Sequence, residues 1–433
     1  DALEKMGPDE FERRVKELGS AATKRFQGKY TTDLPAAFEG NFGFEAILLT
    51  TLNRELGLIG QGPQHKMFPE IFAENGYHTT HVGKLHHGSP HSGFQDTIEQ
   101  PDHEHAWWFG LRKGYDEEEH NVVVYPGPDV AILSAGTFPA SASETTSAKW
   151  TDIAIERLQQ ETDQPFLLRL SLRSPHTPVL PPKPFDSMFD PKDMPIPHPT
   201  DEELAKMSLY DRRQLPNLFN EEQTHRIWAS YFGLASFVEN EIGRLLDALA
   251  ASPHADNTIV VFNSDHGTML GEHDLLQKSV FYDLSARVPL IISWPGRIPE
   301  GKKVDDLVEL IDVAPTLFDL AGINTPADIE GQNLRNTMNG TGNPRDAVFS
   351  EIYSGKCDMD WLRGEAPGSI RRMIRTEEWC FAMNYPEDPL YGPDGSLYNV
   401  VEDPEEVRNL YYDRKYRDVI VKLRKQLIHW VEG

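Results

Sequence analysis

The chain has 433 residues, with 32 Gly, 32 Pro and 39% apolar residues; this excludes a collagen-like repeat, a disordered tail and a disulfide-stapled miniprotein, and leaves a packed, enzyme-sized protein. A formal charge of −26, from 42 basic and 68 acidic residues, opposes phosphate backbones and anionic lipid, so nucleic acid and membrane surfaces are not expected partners and an anionic substrate would need a local cationic pocket. Two cysteines, Cys357 and Cys380, allow no zinc ribbon, iron–sulfur cluster or disulfide framework, and the longest apolar runs, at 258–262 and 288–294, are far too short to span a bilayer. No basic-then-apolar leader is legible at the start, and a soluble protein is expected.

In chain order, residues 148–159 carry apolar side chains at helical spacing, and 164–172 (QPFLLRLSL) read as a buried strand. The Pro-rich stretch 174–199 predicts irregular chain wrapping a surface, a kind of segment that often carries function. Ile227, Leu234, Val238, Ile242, Leu245, Leu246 and Leu249 line one face of a long helix ending near Ser252-Pro253. The strand TIVVF (258–262) follows, then a strand at 288–293, then a strand or turn leading into a helix that ends at Gly322. Alternating helix and buried strand predicts the α/β class: a large, mostly parallel mixed sheet flanked by helices on both faces.

From about residue 346 the texture changes to short aromatic and β-branched runs (AVFSEIY, RRMIRT, WCFAMNY, SLYNVV) broken by Gly, Pro and Asp. These predict a small antiparallel sheet closed by an amphipathic helix over 414–430. The expected division is therefore an α/β domain at 1–345 and an antiparallel subdomain at 346–433.

The chemistry concentrates in NSDHGTMLGEHDLLQK (263–278), directly after the 258–262 strand. Asp265 and His266 thus stand at the carboxyl end of a sheet strand, where open α/β sheets place ligands. Asp265 offers a hard oxygen, His266 a second donor, and Gly267 lets the backbone turn away, so the pair suits a metal. Taken alone, Asp-His-Gly slightly favours an Asx-turn ending a strand over a metal site. His273 and Lys278 follow, and the run continues FYDLSARVPLIISWPG, with Tyr282 and Arg287 before the next strand.

The block 258–296 resembles the sulfatase family of the alkaline phosphatase superfamily, whose members carry a strand, SDHG, a GEH or GDH with a downstream Lys, and RVPLI closing in PG. Three further segments agree in order: EIFAENGYHTTHVGKLHHG (70–88), with Leu85 in place of the usual Trp; RSPHTP (173–178), followed by PPKPFD; and SLYNVVEDPEEVRNL (396–410). The resemblance implies an arylsulfatase-type hydrolase acting on a small-molecule or carbohydrate sulfate ester, in a periplasmic or extracellular setting. It further implies that Lys84 and His86 hold the nucleophile and its oxygens, and that His176 and Lys278 contact the sulfate and the leaving-group oxygen. Asp265 and His266 would be two ligands of a metal, usually calcium, and His273 would stand behind the site or reach the substrate. These residue types suit the reaction, because ammonium groups and a cation stabilise charge spread over a transferring sulfate and an imidazole can protonate the departing alkoxide.

Two departures mark this chain. The family's nucleophile is a formylglycine made from the Cys or Ser of a C/S-x-P-S-R motif just before an LLTG helix. Here Leu48-Leu49-Thr50-Thr51 stands in the LLTG position and Asn41-Phe42-Gly43-Phe44-Glu45 precedes it. The family's opening strand, ending in paired aspartates, has no counterpart in the sequence. Beside metal-assisted sulfate-ester hydrolysis, two readings therefore stand: a phosphodiesterase or phosphonate monoester hydrolase on the same scaffold, and an inactive pseudosulfatase that binds a sulfated ligand or a partner.

Overall fold

The computed structural model describes residues 66–85, 93–98, 122–124, 134–160, 162–212, 214, 216–327, 329–354, 369–384 and 394–432. The nucleophile-motif region, the Thr50-Thr51 pair, His86 and Cys357 lie outside the described residues.

The first helix, α1 (Phe68–Glu74), has Pro69 in its first turn and Glu70 reaching back to accept from the Met67 N–H at 2.7 Å, which satisfies a donor no helical carbonyl can reach. It leads into β1 (His78–Gly83), whose last five residues are buried. β2 (Asp96–Ile98) pairs parallel with β1. Helix α2 (Thr146–Gln159) starts where the Thr145 hydroxyl accepts from the Ala148 N–H at 3.1 Å, and buries Trp150, Ala154 and Leu158. β3 (Phe166–Ser171) then joins the other edge of β1, parallel and in register from His78–Phe166 to Gly83–Ser171. Gly83 is required there, because a Cβ would stand 2.2 Å from the Ser171 carbonyl oxygen and φ is +112°.

The 174–199 stretch is irregular apart from two single 3₁₀ turns, as its prolines predict. Helix α3 (Glu221–Ala250) begins six residues before the apolar stripe, at an Asn220 capping box with Gln223. β4 (Val260–Asn263) pairs antiparallel with β5 (Leu290–Ser293), and α4 (Val313–Leu320) packs Phe318 against Phe72 of α1, with Leu167 of β3 in the same cluster.

Among the described residues, the expected large sheet is present as a parallel triplet, β2-β1-β3, and a separate antiparallel pair, β4-β5. Among the described residues, those of β3, β4 and β5 and of the apolar face of α3 border one open space. No residue of β3 is fully buried, and Ile291 of β5 is 59% exposed.

The C-terminal region forms the predicted antiparallel sheet: β6 (Val348–Ser354), β7 (Ser369–Arg375), β8 (Trp379–Asn384) and β9 (Gly395–Asn399), in that order. Helix α5 (Arg417–Glu432) covers it, seating Leu423, Leu427 and Ile428 on Ile374, Phe381 and Leu397. A second face shares one core with the 269–282 stretch, where Met269, Leu275, Phe281 and Tyr282 meet Met373, Cys380, Ala382 and Tyr398. Buried Arg371 ties the two regions, donating to Asp211 at 3.2 Å, to the Ser396 hydroxyl at 2.9 Å and to Asn384 at 3.1 Å.

Candidate active site

The carboxyl ends of β1, β3 and β4 each deliver charged side chains to that open space. Lys84 is the first residue past β1, its N–H donating to the Ser171 carbonyl at 2.9 Å, so the β1–β3 ladder fixes where its side chain begins. Past β3, the turn that brings the His176 N–H to the Arg173 carbonyl (3.0 Å) places Arg173 and His176 together. Past β4 come Asp265 and His266. Gly267 closes that turn by donating to the Ser285 carbonyl at 2.8 Å, an approach so close that a Cβ would lie 2.0 Å from the Leu284 carbonyl oxygen. Lys278 follows the short Met269–Leu270/Leu276–Gln277 hairpin and returns to the same place.

The hydrogen bonds fix the states of both imidazoles. His266 Nδ1 lies 2.7 Å from the Gly267 carbonyl, which can only accept, so Nδ1 carries the proton. Its Nε2 then accepts from the Lys278 ammonium at 2.9 Å. Burial, then the Lys278 charge, holds His266 below its ordinary pKa. His176 donates from Nδ1 to the Thr177 carbonyl at 2.8 Å, and burial, reinforced by Lys84, Lys278 and Arg173, pushes its pKa down to about 3. It is therefore neutral at pH 7, with Nε2 available as an acceptor. Asp265 is the reverse case: burial raises its carboxyl, but His266, Lys278 and Lys84 outweigh that and hold it below the usual carboxylate range. The site is thus a cationic pocket in an acidic protein, suited to an oxyanion.

Of the sequence-predicted residues, Lys84, His176, Asp265, His266 and Lys278 are brought together. His86 lies outside the described residues, as do the histidines at 87, 91, 103 and 105. His273 is elsewhere: its ring is 4% exposed, 2.8 Å from Glu203 and stacked on Tyr282 at 3.9 Å. It holds the GEH turn to the protein interior and does not border that space. Arg173, brought beside His176, was not singled out by the sequence reasoning, although it opens the segment RSPHTP.

The donors for a metal are few. Among the described residues no group of three or more His, Cys, Asp or Glu side chains is placed to hold one. Calcium takes six to eight oxygen ligands, whereas Asp265 and His266 offer one carboxylate and one imidazole, the latter already accepting from Lys278. The described residues do not by themselves fit that ion.

Comparison with known proteins identifies the family of the chain. The family described as Sulfatase matches residues 28–323, and that described as N-sulphoglucosamine sulphohydrolase, C-terminal, matches 271–432. An arylsulfatase of Clostridium perfringens is 29% identical over 393 residues, covering 84% of this chain and 77% of the relative. An iduronate 2-sulfatase of Mus musculus is 28% identical over 445 residues, covering 82% and 78%. The phosphonate monoester hydrolase of Agrobacterium radiobacter superposes with a TM-score of 0.67 at 25% identity, covering 85% of this chain and 80% of that one.

Proposed function

Because the chain belongs to the sulfatase family of hydrolases, we propose that it cleaves a sulfate ester of a small molecule or carbohydrate in the pocket formed by Lys84, His176 and Lys278. The convergence of these three side chains with Asp265 and His266 at the carboxyl ends of β1, β3 and β4 carries the reading. The two ammonium groups bind the non-bridging sulfate oxygens and stabilise the charge that builds on them during transfer. The described residues include no nucleophile with a motif behind it, so bond cleavage is assigned to no described side chain.

His176 has a defined part. In the unliganded pocket its neighbours are cations and it is neutral. A bound sulfate reverses the sign of the nearest charge and raises the imidazole pKa, which lets Nε2 take a proton and pass it to the departing alkoxide oxygen. Gly267 and the Nδ1–carbonyl bond of His266 keep the Asp265–His266 corner rigid beneath the anion.

A second reading, hydrolysis of a phosphonate monoester, is favoured by the structural likeness to the Agrobacterium enzyme. The two are separated by measuring turnover of 4-nitrophenyl sulfate and of 4-nitrophenyl phenylphosphonate by the natural full-length protein. Preference for the sulfate by at least tenfold in kcat/KM supports the first reading, and the reverse preference supports the second. Binding of sulfate esters with turnover of neither leaves a binding protein and overturns both.

A further inference from the structure

Glu406 is a buried carboxyl joined to the anion pocket by a short chain of contacts. It is 2% exposed, in the loop after β9, on a left-handed backbone (φ 55°) that is uncommon outside glycine. Its Oε2 accepts at 2.6 Å from the Asp283 N–H, the first donor of the single helical turn Asp283–Ala286, which no carbonyl of that turn can reach. The same turn presents the Ser285 carbonyl that accepts from the Gly267 N–H at 2.8 Å, and Gly267 directly follows Asp265 and His266. Two hydrogen bonds and one helical turn therefore lie between Glu406 and that corner of the pocket.

The groups around the carboxyl favour its neutral form. Asp283 faces it from the turn, Arg375 from β7, Cys380 from β8 and Tyr398 from β9. Arg375 is already engaged, donating to Asp283 Oδ2 at 3.4 Å and to the Thr376 carbonyl. Glu406 Oε1 is buried with no hydrogen bond, and the Cys380 thiol beside it reaches the Phe281 carbonyl at 3.8 Å. An ionised Glu406 would be a second buried negative charge next to Asp283, without a cation of its own. Burial, then the Asp283 charge, accordingly raises its pKa to about 8, so it is mostly protonated at pH 7. Resting on the sulfate-ester reading, we propose that protonated Glu406 is a positioning residue for the anion pocket: it holds the turn that fixes Gly267, and loss of its proton releases that turn, loosens the Asp265–His266 corner and weakens sulfate binding. The sign follows from linkage, since a carboxylate is better solvated away from this contact and its ionisation favours the released state.

Sulfate affinity of the natural full-length protein is measured by titration calorimetry at pH 7 and pH 9, at fixed ionic strength. Beside it stands Glu406→Gln, which keeps an acceptor for the Asp283 N–H and cannot ionise. Hydrogen exchange over residues 264–270, corrected for the hydroxide-catalysed rate, is read by mass spectrometry at the same two pH values. Ionisation of one group near pH 8 changes the held fraction by at most about tenfold over this interval. The unaltered protein is expected to lose about three- to tenfold more affinity than Glu406→Gln between the two pH values, and to lose protection over 264–270 that the variant keeps. Asp283→Asn removes the neighbouring like charge and should move the step to lower pH. Superimposable pH profiles for the unaltered protein and Glu406→Gln, even with altered thermal stability, overturn the proposal, since the carboxyl then serves only the fold. A step left unmoved in Asp283→Asn also overturns it. If sulfate binds at neither pH, the sulfate-ester reading falls, and the exchange over 264–270 still decides whether Glu406 holds the turn.

Discussion

Replacing Lys278 by Met removes one charge while keeping most of the side-chain length, and the geometry sets what should follow. The ammonium lies 2.9 Å from His266 Nε2 and acts on both Asp265 and His176. A unit charge about 4 Å from a sulfate oxygen gains roughly 4 kcal/mol at an effective dielectric near 20. Desolvation consumes much of that, and the net worth of a hydrogen bond between charged groups is about 1.5–3 kcal/mol. Sulfate affinity should therefore fall by about 10- to 150-fold. A second signature accompanies it: with the ammonium gone, His266 loses one of the three causes that depress its pKa, while burial, the largest, and the Lys84 charge stay. Its titration should move up in pH, though not fully to that of a free histidine. Calorimetric titration with sodium sulfate reads the affinity, and the pH dependence of the imidazole carbon-bound proton shifts reads the titration. Sulfate affinity within twofold of the unaltered protein, in a folded variant, would refute the claim that Lys278 is part of the anion pocket.

Three further outcomes follow from the same residues. In Gly267→Ala the added methyl must displace the Leu284 carbonyl 2.0 Å away, at a cost of about 1–3 kcal/mol or more in stability, and sulfate affinity should drop at least tenfold, read by calorimetry beside a denaturant melt. Burial holds His273 at about 4, below the value near 6.5 of an unfolded chain, so its contribution is intact above pH 6.5 and is lost as pH falls toward 4; this amounts to a few kcal/mol at most, reduced by buried Glu203, whose raised pKa acts in the opposite sense. Thermal melts of His273→Gln should accordingly show a shallower loss of stability between pH 6.5 and 4 than the unaltered protein. Glu406 is the opposite case, since burial raises its carboxyl to about 8 while its Oε2 accepts from the Asp283 N–H at 2.6 Å; the stability it gives is complete below pH 4.5 and is lost as pH rises through 8. Glu406→Gln should melt higher than the unaltered protein at pH 9, with that advantage shrinking toward pH 5, and an advantage independent of pH would contradict the assignment.

The strands and long helices were legible because their signals are local. TIVVF, QPFLLRLSL and the α3 stripe each contain the periodicity that buries them, and the alternating C-terminal runs fall in the β6–β9 order the structure shows. Lys84, His176, Asp265, His266 and Lys278 were proposed because each sits in a short segment resembling a motif of the family, and the structure brings the five to one place. His273 was placed with them on the same grounds, yet a positive φ of 53° turns its ring toward Glu203 and Tyr282; partners 70 residues upstream and 9 downstream leave no local mark. Arg371 and Glu406 escaped notice for the related reason that their environments are assembled from distant segments: Asp211 and Ser396 around one, Asp283 and Arg375 around the other. The joint between the 269–282 stretch and the C-terminal sheet was invisible too, because apolar residues such as Met269 and Phe281 do not name the surface they pack on.

The central claim is that the cations at the strand ends bind and turn over a sulfate ester. It is tested most directly by quantifying sulfate released from 4-nitrophenyl sulfate by the natural full-length protein, beside a Lys84→Met/Lys278→Met double variant with a preserved thermal transition. The account predicts stoichiometric release of sulfate and 4-nitrophenol by the unaltered protein and loss of at least a hundredfold in kcat/KM in the double variant. Equal turnover by both proteins would contradict it.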